Sequence, residues 1–188
     1  MSSKDKGNGM DSRQALHSSN TNEWYTPSRY IEAARAVMGG IDLDPASCLK
    51  AQETVKATEW HGEPYDGLLM PWWGRVWMNP PYGRRNGKSN QAVWTERAVA
   101  AANDGEVDQA ILLVNSETSC AWFQSLWGYP ICFTDHRIRF IDANGVEQRS
   151  PTQGNAFIYI PDYLTPGYED SVSRFVDAFT EFGHVVRP

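Results

Sequence analysis

The chain has 188 residues, of which 41% are hydrophobic and 21% charged, and this composition is typical of one folded domain rather than a disordered or fibrous protein. Its 17 Lys and Arg residues against 23 Asp and Glu residues give a net charge of −6. That balance excludes a non-specific nucleic-acid coat protein, which needs an excess of cations to release counterions. It leaves room for a local basic patch.

Neither a membrane nor a metal is indicated. No apolar run is long enough for a membrane helix, and the first residues lack the apolar segment of a secretory signal, so we expect a cytoplasmic protein. The three cysteines and four histidines show no ligand spacing, which argues against a disulfide scaffold and a metal site. The eight tryptophans favour a heavily aromatic core.

Residues 1–21 are mostly Ser, Asn, Gly, Lys and Asp, which predicts a disordered polar N-terminal tail before a single domain at 22–188. In the first half of the domain, the pattern predicts a helix from Thr26-Pro27-Ser28 to Gly39-Gly40, a strand at 41–44, a helix at 46–54 capped by Ser47, and strands at 55–57 and 74–78. In the second half, it predicts a helix at 91–103, a strand at 108–115, a helix around 122–126, strands at 130–133 and 156–160, and a helix at 169–181.

Strands that alternate with helices predict an α/β fold, with a twisted, mainly parallel sheet and helices on both faces. Ligands bind such sheets at the carboxyl ends of the strands. Three predicted strands end in polar residues, at Asp44-Pro45, Asn79-Pro80 and Asn115-Ser116. We therefore expect the functional site at this edge.

The most specific motif is Asn79-Pro80-Pro81-Tyr82, which directly follows a predicted strand. A turn is the simpler interpretation, because prolines often leave strands. The chemistry that needs these residues is methylation of an exocyclic amine on a planar ring. The Asn79 side-chain oxygen and the Pro80 carbonyl can accept hydrogen bonds from such an amine and localise its lone pair. Tyr82 offers a ring on which an unstacked base can lie.

This tetrapeptide resembles the catalytic motif of the S-adenosylmethionine-dependent N6-adenine DNA methyltransferases, and residues 22–160 are similar to the small phage-type branch. The resemblance implies a Rossmann-like methyltransferase fold with a seven-stranded sheet. It also implies site-specific transfer of a methyl group from S-adenosylmethionine to the N6 amine of adenine in double-stranded DNA. Its family-level role would be protection from restriction, in the host-cell cytoplasm if the chain is phage-encoded. Asn79, Pro80, Pro81 and Tyr82 are then the catalytic residues.

Three further segments follow the family's order and are the expected cofactor-binding residues, together with Asn79: Tyr25-Thr26-Pro27, Asp44-Pro45-Ala46-Ser47 and Asp66-Gly67-Leu68. Asp44 could accept from the cofactor's ammonium group, Tyr25 could face its sulfonium, and Asp66 could accept from its adenine amine. An Asp-Pro turn, a core tyrosine and an Asp-Gly turn are the alternative interpretations. The chain departs from the family in lacking glycines after Ser47, and Glu59 is the one weak candidate for binding the ribose.

A chain of this length has no separate domain for DNA recognition, so we expect loops to contact the DNA. The cations Arg84, Arg85 and Lys88 lie directly after the catalytic motif, in a loop that is either a DNA contact or a solvated surface. Arg137 and Arg139 alternate on a predicted strand, where they either bind phosphate or pair with Asp135 and Asp142. The polar segment 142–155 either reaches into DNA or forms a plain hairpin.

Two other functions remain open. RNA guanine or a protein glutamine also presents a planar amine, so the acceptor need not be DNA. Alternatively, the chain is a catalytically degenerate DNA-binding relative, as the missing glycines would permit. The oligomeric state cannot be predicted from the sequence.

Overall fold

The computed structural model describes residues 24–149 and 151–188, so the predicted tail at 1–21 lies outside the described residues. Within these ranges there are five α-helices: α1 (Ser28–Met38), α2 (Leu49–Val55), α3 (Asn90–Asn103), α4 (Ala121–Gln124) and α5 (Tyr168–Phe179). The strands of the same ranges are β1 (Leu43–Asp44), β2 (Glu59–Trp60), β3 (Gly74–Met78), β4 (Arg84–Arg85), β5 (Lys88–Ser89), β6 (Val107–Asn115), β7 (Ile131–Thr134), β8 (Asn155–Ile160) and β9 (Gly183–Val186).

Seven of these strands form one mixed sheet in the order β2-β1-β3-β6-β8-β7-β9. The number of strands and the α/β class are as predicted, but the expectation of a mainly parallel sheet is wrong. The pairs β1–β2, β1–β3 and β3–β6 are parallel, whereas β6–β8, β7–β8 and β7–β9 are antiparallel. A parallel pair of neighbouring strands requires a crossover connection, usually a helix. The described residues between β7 and β8 contain no helix, and β8 runs antiparallel to β7.

Helices cover both faces of the sheet, as predicted. On one face α1 and α5 bury apolar side chains against Trp77, Phe157 and Tyr159. On the other face α3 and α4 pack against Val76, Leu112 and Ile158. The strands alternate between these two cores, as the two-residue period of a strand requires. Only Trp72, Trp77 and Trp94 of the described tryptophans are fully buried, so the predicted aromatic core is smaller than expected.

The boundaries differ from the prediction around α2. The helix begins after Cys48 instead of at residue 46, and Ser47 does not cap it. The Ser47 hydroxyl accepts a hydrogen bond from Gln52 Nε2 at 2.7 Å instead. The strand predicted at 55–57 is wrong, since Val55 ends α2 and Lys56 adopts a left-handed conformation with φ of 49°. The second strand is Glu59–Trp60.

Three short elements were missed by the sequence patterns. The hairpin β4–β5 lies in the loop after the tetrapeptide, and β9 adds an edge strand at the C-terminus. The segment with Arg137 and Arg139 was predicted as a strand, but it lies beyond the end of β7 and has no regular secondary structure. Among the residues with described placement, no helix is long and apolar enough to span a membrane.

An ion pair fixes the start of β3 against the start of β1. Asp42 accepts hydrogen bonds from the Arg75 backbone N–H at 2.9 Å and from its Nε and Nη2 at 2.7 Å each. The side chains are only 16% and 32% exposed, respectively. The guanidinium holds the pKa of Asp42 below its ordinary value, so the pair stays ionised until the solution is strongly acidic.

We predict that Asp42→Ala lowers the free energy of unfolding by about 2 kcal/mol, because it removes the acceptor of two hydrogen bonds from the half-buried guanidinium and of one from the Arg75 backbone N–H. Urea unfolding at neutral pH measures the change. Glu53→Ala is the matched control, since it removes an exposed carboxylate paired with Lys50 on α2 and should cost less than about 0.5 kcal/mol. Equal losses of unfolding free energy in the two variants would show that the Asp42–Arg75 pair contributes no more than an exposed ion pair.

Candidate active site

Polar side chains collect at one edge of the sheet because of its topology. β1, β3 and β6 run in parallel, so Asp44, Asn79 and Asn115 all reach the edge where these strands end. β8 runs in the opposite direction and therefore begins at this edge, where Asn155 pairs with Asn115. The sequence indicated the first three positions, whereas Asn155 depends on the strand direction that was predicted incorrectly.

A cavity of about 500 Å³ opens at this edge. Its volume falls in the usual range for a small-molecule site. The lining includes these residues of the predicted site: Tyr25, Thr26, Asp44, Pro45, Ala46, Ser47, Asp66, Gly67, Asn79, Pro80, Pro81, Tyr82 and Arg85. Pro27 and Leu68 do not line it, and Leu68 packs on the core beneath instead.

Two glycines let the 61–67 segment form a wall of this cavity. A Cβ at Gly67 would lie 1.8 Å from the Pro45 carbonyl oxygen, and one at Gly62 would lie 2.2 Å from the Ser47 carbonyl oxygen. No side chain fits at either position without moving the backbone. The Asp66-Gly67 pair is therefore more than a turn, because it brings this loop into contact with the end of β1.

The amide of Asn79 is held in one orientation. Its Nδ2 donates to the Trp24 carbonyl oxygen and to the Thr26 hydroxyl, at 3.3 Å each. Its Oδ1 is buried and accepts no hydrogen bond from any described residue. Since the Trp24 carbonyl can only accept, the nitrogen of the amide must face it, and the oxygen is left as a free acceptor. This function of Trp24 was not predicted.

Asp44 is a buried carboxylate with few partners. It is 2% exposed, and it accepts from Gln52 Nε2 at 2.9 Å and from the Ala46 N–H at 3.4 Å. Burial raises its pKa to about 7, and the hydrogen bonds from Ser47, Ala46 and Gln52 only partly oppose this shift. A nearby cation would restore the charged form. Gln52, which the sequence analysis did not single out, supports both Asp44 and Ser47.

Asp66 and Arg85 form an ion pair at the cavity. Arg85 Nη1 donates to Asp66 Oδ1 at 3.1 Å, and Nη2 contacts the other carboxylate oxygen, so the pair has two parallel contacts. The guanidinium lowers the pKa of Asp66. Asp66 was expected to bind the cofactor and Arg85 to bind DNA, and the structure shows that the two side chains also pair with each other.

A second, smaller cavity of about 170 Å³ adjoins the first. Trp24 and Tyr82 line both cavities and separate them. The remaining lining residues come mainly from the chain between β7 and β8: Ile138, Phe140, Gln148, Pro151, Thr152, Gln153 and Asn155. Tyr82 meets Phe140 edge to face at 6.1 Å, and burial raises the pKa of its hydroxyl. The second half of the predicted polar segment, through Gln148 and residues 151–153 and 155, therefore forms one wall of a pocket.

Glu59, the candidate for binding the cofactor ribose, lies outside the large cavity. Glu59 is exposed and accepts a hydrogen bond from Trp73 Nε1 at 2.9 Å. Glu63 does line it, as does the buried His61. No cluster of His, Cys, Asp and Glu suited to a metal occurs in the described residues.

The predicted DNA-binding cations are all exposed. Arg84 donates to the Gly87 carbonyl and thereby stabilises the tip of the β4–β5 hairpin. Arg137 donates to the Pro151 carbonyl at 3.2 Å. Among the described residues, neither Arg137 nor Arg139 forms an ion pair, so the proposed pairing with Asp135 and Asp142 is absent there.

A comparison against protein families identifies the family of this chain. The family model described as DNA N-6-adenine-methyltransferase (Dam) matches residues 13–174. No match was found among curated proteins or among solved structures. The family match spans most of the 188 residues, and the chain therefore belongs to the DNA N-6-adenine-methyltransferase (Dam) family. This confirms the resemblance found in the sequence, and the family's general activity is methylation of adenine in DNA.

We predict that the change in unfolding free energy caused by Asp44→Asn is more favourable at pH 8 than at pH 5. The folded-state pKa of about 7 exceeds the unfolded value of 3.8, so the wild type loses stability as pH rises toward 7, and the amide does not. The difference in unfolding free energy between the two pH values should favour the variant by about 2 to 3 kcal/mol. Urea unfolding of both proteins at both pH values measures it. An unchanged difference would mean that Asp44 ionises normally.

Proposed function

We propose that this protein transfers a methyl group from S-adenosylmethionine to the N6 amine of adenine at specific sites in double-stranded DNA. Membership of the Dam family supports adenine in DNA as the acceptor. The observation that carries the proposal is the free Asn79 Oδ1: Asn79 lines the large cavity, its Oδ1 is buried without a partner among the described residues, and its nitrogen is held by Trp24 and Thr26.

The free oxygen suits an amine that is a poor nucleophile. The lone pair of an adenine amine is delocalised into the ring, and a fixed acceptor at its N–H favours the pyramidal form that can react. The Pro80 carbonyl is a second acceptor on a backbone stiffened by two prolines. On accepting the methyl group the nitrogen becomes cationic, and it then loses one proton to water. Asn79 Oδ1 accepts a hydrogen bond from the amine and does not itself take the proton, because an amide oxygen is a very weak base. Hydrogen bonds to Trp24 and Thr26 fix the Asn79 acceptor, and the proline backbone fixes the Pro80 carbonyl. Both acceptors are therefore in position before the reaction begins.

The large cavity fits S-adenosylmethionine, which supplies the electrophilic methyl group when bound. Asp44 is a buried carboxylate whose charge needs a cationic partner, and the ammonium group of the cofactor is one. Tyr25 lines the same cavity and offers its ring to the sulfonium. The loop with Asp66 and Gly67 lies against Pro45, where it can enclose the adenine moiety.

The smaller cavity fits the target base. Its volume of about 170 Å³ equals that of five to six water molecules at roughly 30 Å³ each, which suits one base rather than a whole cofactor. Trp24, Tyr82 and Phe140 provide ring faces for stacking once the base has left the duplex. Since Tyr82 lines both cavities, a base here would lie next to the cofactor site.

Loops around the two cavities supply the contacts for DNA. The β4–β5 hairpin carries Arg84, Arg85 and Lys88 directly after Tyr82. Arg137 and Arg139 are exposed, and they alternate with Ile138 and Phe140, which line the small cavity. Cations at the mouth of a base pocket position the duplex through its phosphates, and the polar segment 142–155 is available to read base edges.

We predict that Asn79→Ala abolishes methyl transfer, with a loss of at least about 100-fold in kcat, because it removes the fixed acceptor. The measurement follows radiolabel from S-adenosylmethionine into unmethylated duplex DNA, with hydrolysis of the product to identify N6-methyladenine. Binding of the cofactor, followed by calorimetry, should change much less than kcat.

Asn103→Ala is the matched control, because Asn103 lies at the end of α3 and lines neither cavity. Label in DNA that persists in Asn79→Ala would exclude Asn79 from the reaction. Cofactor binding by the wild type without label in DNA would point to RNA or a protein as acceptor. Absence of both would favour a DNA-binding relative without activity.

We predict that Arg139→Ala reduces the salt dependence of DNA binding. Arg139 makes no hydrogen bond or ion pair with another described residue, so its loss should leave the fold intact. The slope of log K against log salt should become shallower by about 1, which corresponds to one phosphate contact. Arg97→Ala is the control, since Arg97 pairs with Glu106 just before β6, at the opposite edge of the sheet. An identical slope in both variants would place Arg139 outside the interface.

A further inference from the structure

Asn155 is a buried amide that the reaction as described does not use. It begins β8, is 2% exposed and lines the small cavity. Its Nδ2 is buried and makes no hydrogen bond to any described residue. The amide lies close enough to the Tyr82 hydroxyl to oppose the rise in its pKa, without completing a hydrogen bond.

A donor in this position is costly without a partner. A buried donor without a partner loses its hydrogen bonds to water and gains none in exchange. Ile138 and Phe140 contribute apolar side chains to this cavity, and none of the polar groups that line it forms a hydrogen bond with Asn155 Nδ2. A buried polar group without a partner in a folded protein calls for an explanation. An acceptor that enters the small cavity would supply the missing partner of Asn155.

We propose that Asn155 Nδ2 donates a hydrogen bond to a ring nitrogen of the extruded adenine, on the same edge as its amine. This inference rests on the function proposed above. The nitrogen is N1 on the Watson–Crick edge or N7 on the other edge, and both are acceptors. Asn79 Oδ1 then accepts from the amine while Asn155 donates beside it.

Two amides of opposite function give the pocket a reason to choose its base. Adenine presents a donor next to an acceptor, which complements Asn79 and Asn155 together. Guanine and thymine present a carbonyl oxygen where adenine has its amine, so their oxygen would face Asn79 Oδ1, an acceptor against an acceptor. A site built to bond a polar group rejects analogues that leave its buried groups unpaired. Asn155 and Asn79 together thus select adenine over guanine and thymine. Cytosine has the same donor beside an acceptor at N4 and N3, so the pair distinguishes it from adenine only through a contact to N7, where cytosine has C–H.

The competing interpretation is purely structural. Asn155 pairs with Asn115 across the strands, and Asn115 Oδ1 is also buried without a partner among the described residues. Asn155 could therefore serve only to hold Tyr82 or Asn115 in place. A structural function would weaken the reaction on every substrate by the same factor, whereas a contact to the base would depend on one atom of the substrate.

The test removes that atom from the substrate. A duplex that the wild type methylates is prepared with its target adenine replaced by 1-deazaadenine or 7-deazaadenine, in which N1 or N7 becomes C–H. We expect one analogue to lower kcat/KM of the wild type by about tenfold or more, in line with the loss of one buried hydrogen bond. Asn155→Ala should lose a similar factor on the normal duplex and nothing further on that analogue. The analogue that lowers kcat/KM identifies which ring nitrogen accepts the hydrogen bond.

Asn103→Ala is again the control, because Asn103 is an exposed amide at the end of α3 and lines neither cavity. This variant should keep the discrimination of the wild type. Equal losses on all substrates in Asn155→Ala, or no loss with either analogue in the wild type, would overturn the contact. The second result needs no variant and so does not depend on the folding of Asn155→Ala. Failure of the wild type to methylate the normal duplex would instead overturn the proposed function, and this inference with it.

Discussion

The hydrogen bonds from Asn79 Nδ2 to Trp24 and Thr26 are the constraint on which the site depends. They join the segment before α1 to the end of β3, and they decide which end of the amide is free. The backbone of Tyr25 also pairs with Ile141, so the same short segment contacts the chain beyond β7. The segment 24–26 therefore forms part of both cavities, and it orients the Asn79 amide so that Oδ1 is the free acceptor. Without it, the Asn79 amide would be free to rotate and to present a donor to the amine.

Asp44 shows how the site sets function against stability. A carboxylate with a pKa near 7 is retained in the interior although an amide would be easier to bury. Such strain is a frequent property of binding sites, because the group that a ligand satisfies is left unsatisfied without it. The orphan atoms of Asn79 and Asn155 follow the same pattern. Three polar groups at one edge are thus incomplete in the protein alone, which is what a preorganised site requires.

Much of this could be predicted from the sequence, because local signals were strong. The α/β class, the helices α1, α3 and α5 and the strands β3 and β6 follow from periodicity, from prolines and from Gly39, whose φ of 78° ends α1. The tetrapeptide and Asp44 could be located because parallel strands end at the same edge. The mixed sheet was not predicted. The signal for it was the polar segment before β8, which lacks the helix that a parallel crossover usually requires. The ion pair of Asp66 with Arg85 and the pairing of Asn79 with Trp24 depend on distant contacts, which leave no local pattern.

The direction of β8 also determines where the chain tolerates changes in length. Asn155 faces the same side of the sheet as Phe157 and Tyr159, and its register is fixed by the pairing with Asn115. A deletion of one residue within β8 would exchange its two faces, placing Ala156 or its neighbours at the pocket and Phe157 on the wrong core. Insertions in the exposed turn at 143–147 would leave that register untouched. Insertions in the turn before Asn155 would therefore leave the pocket intact, whereas a change of one residue within β8 would disrupt it.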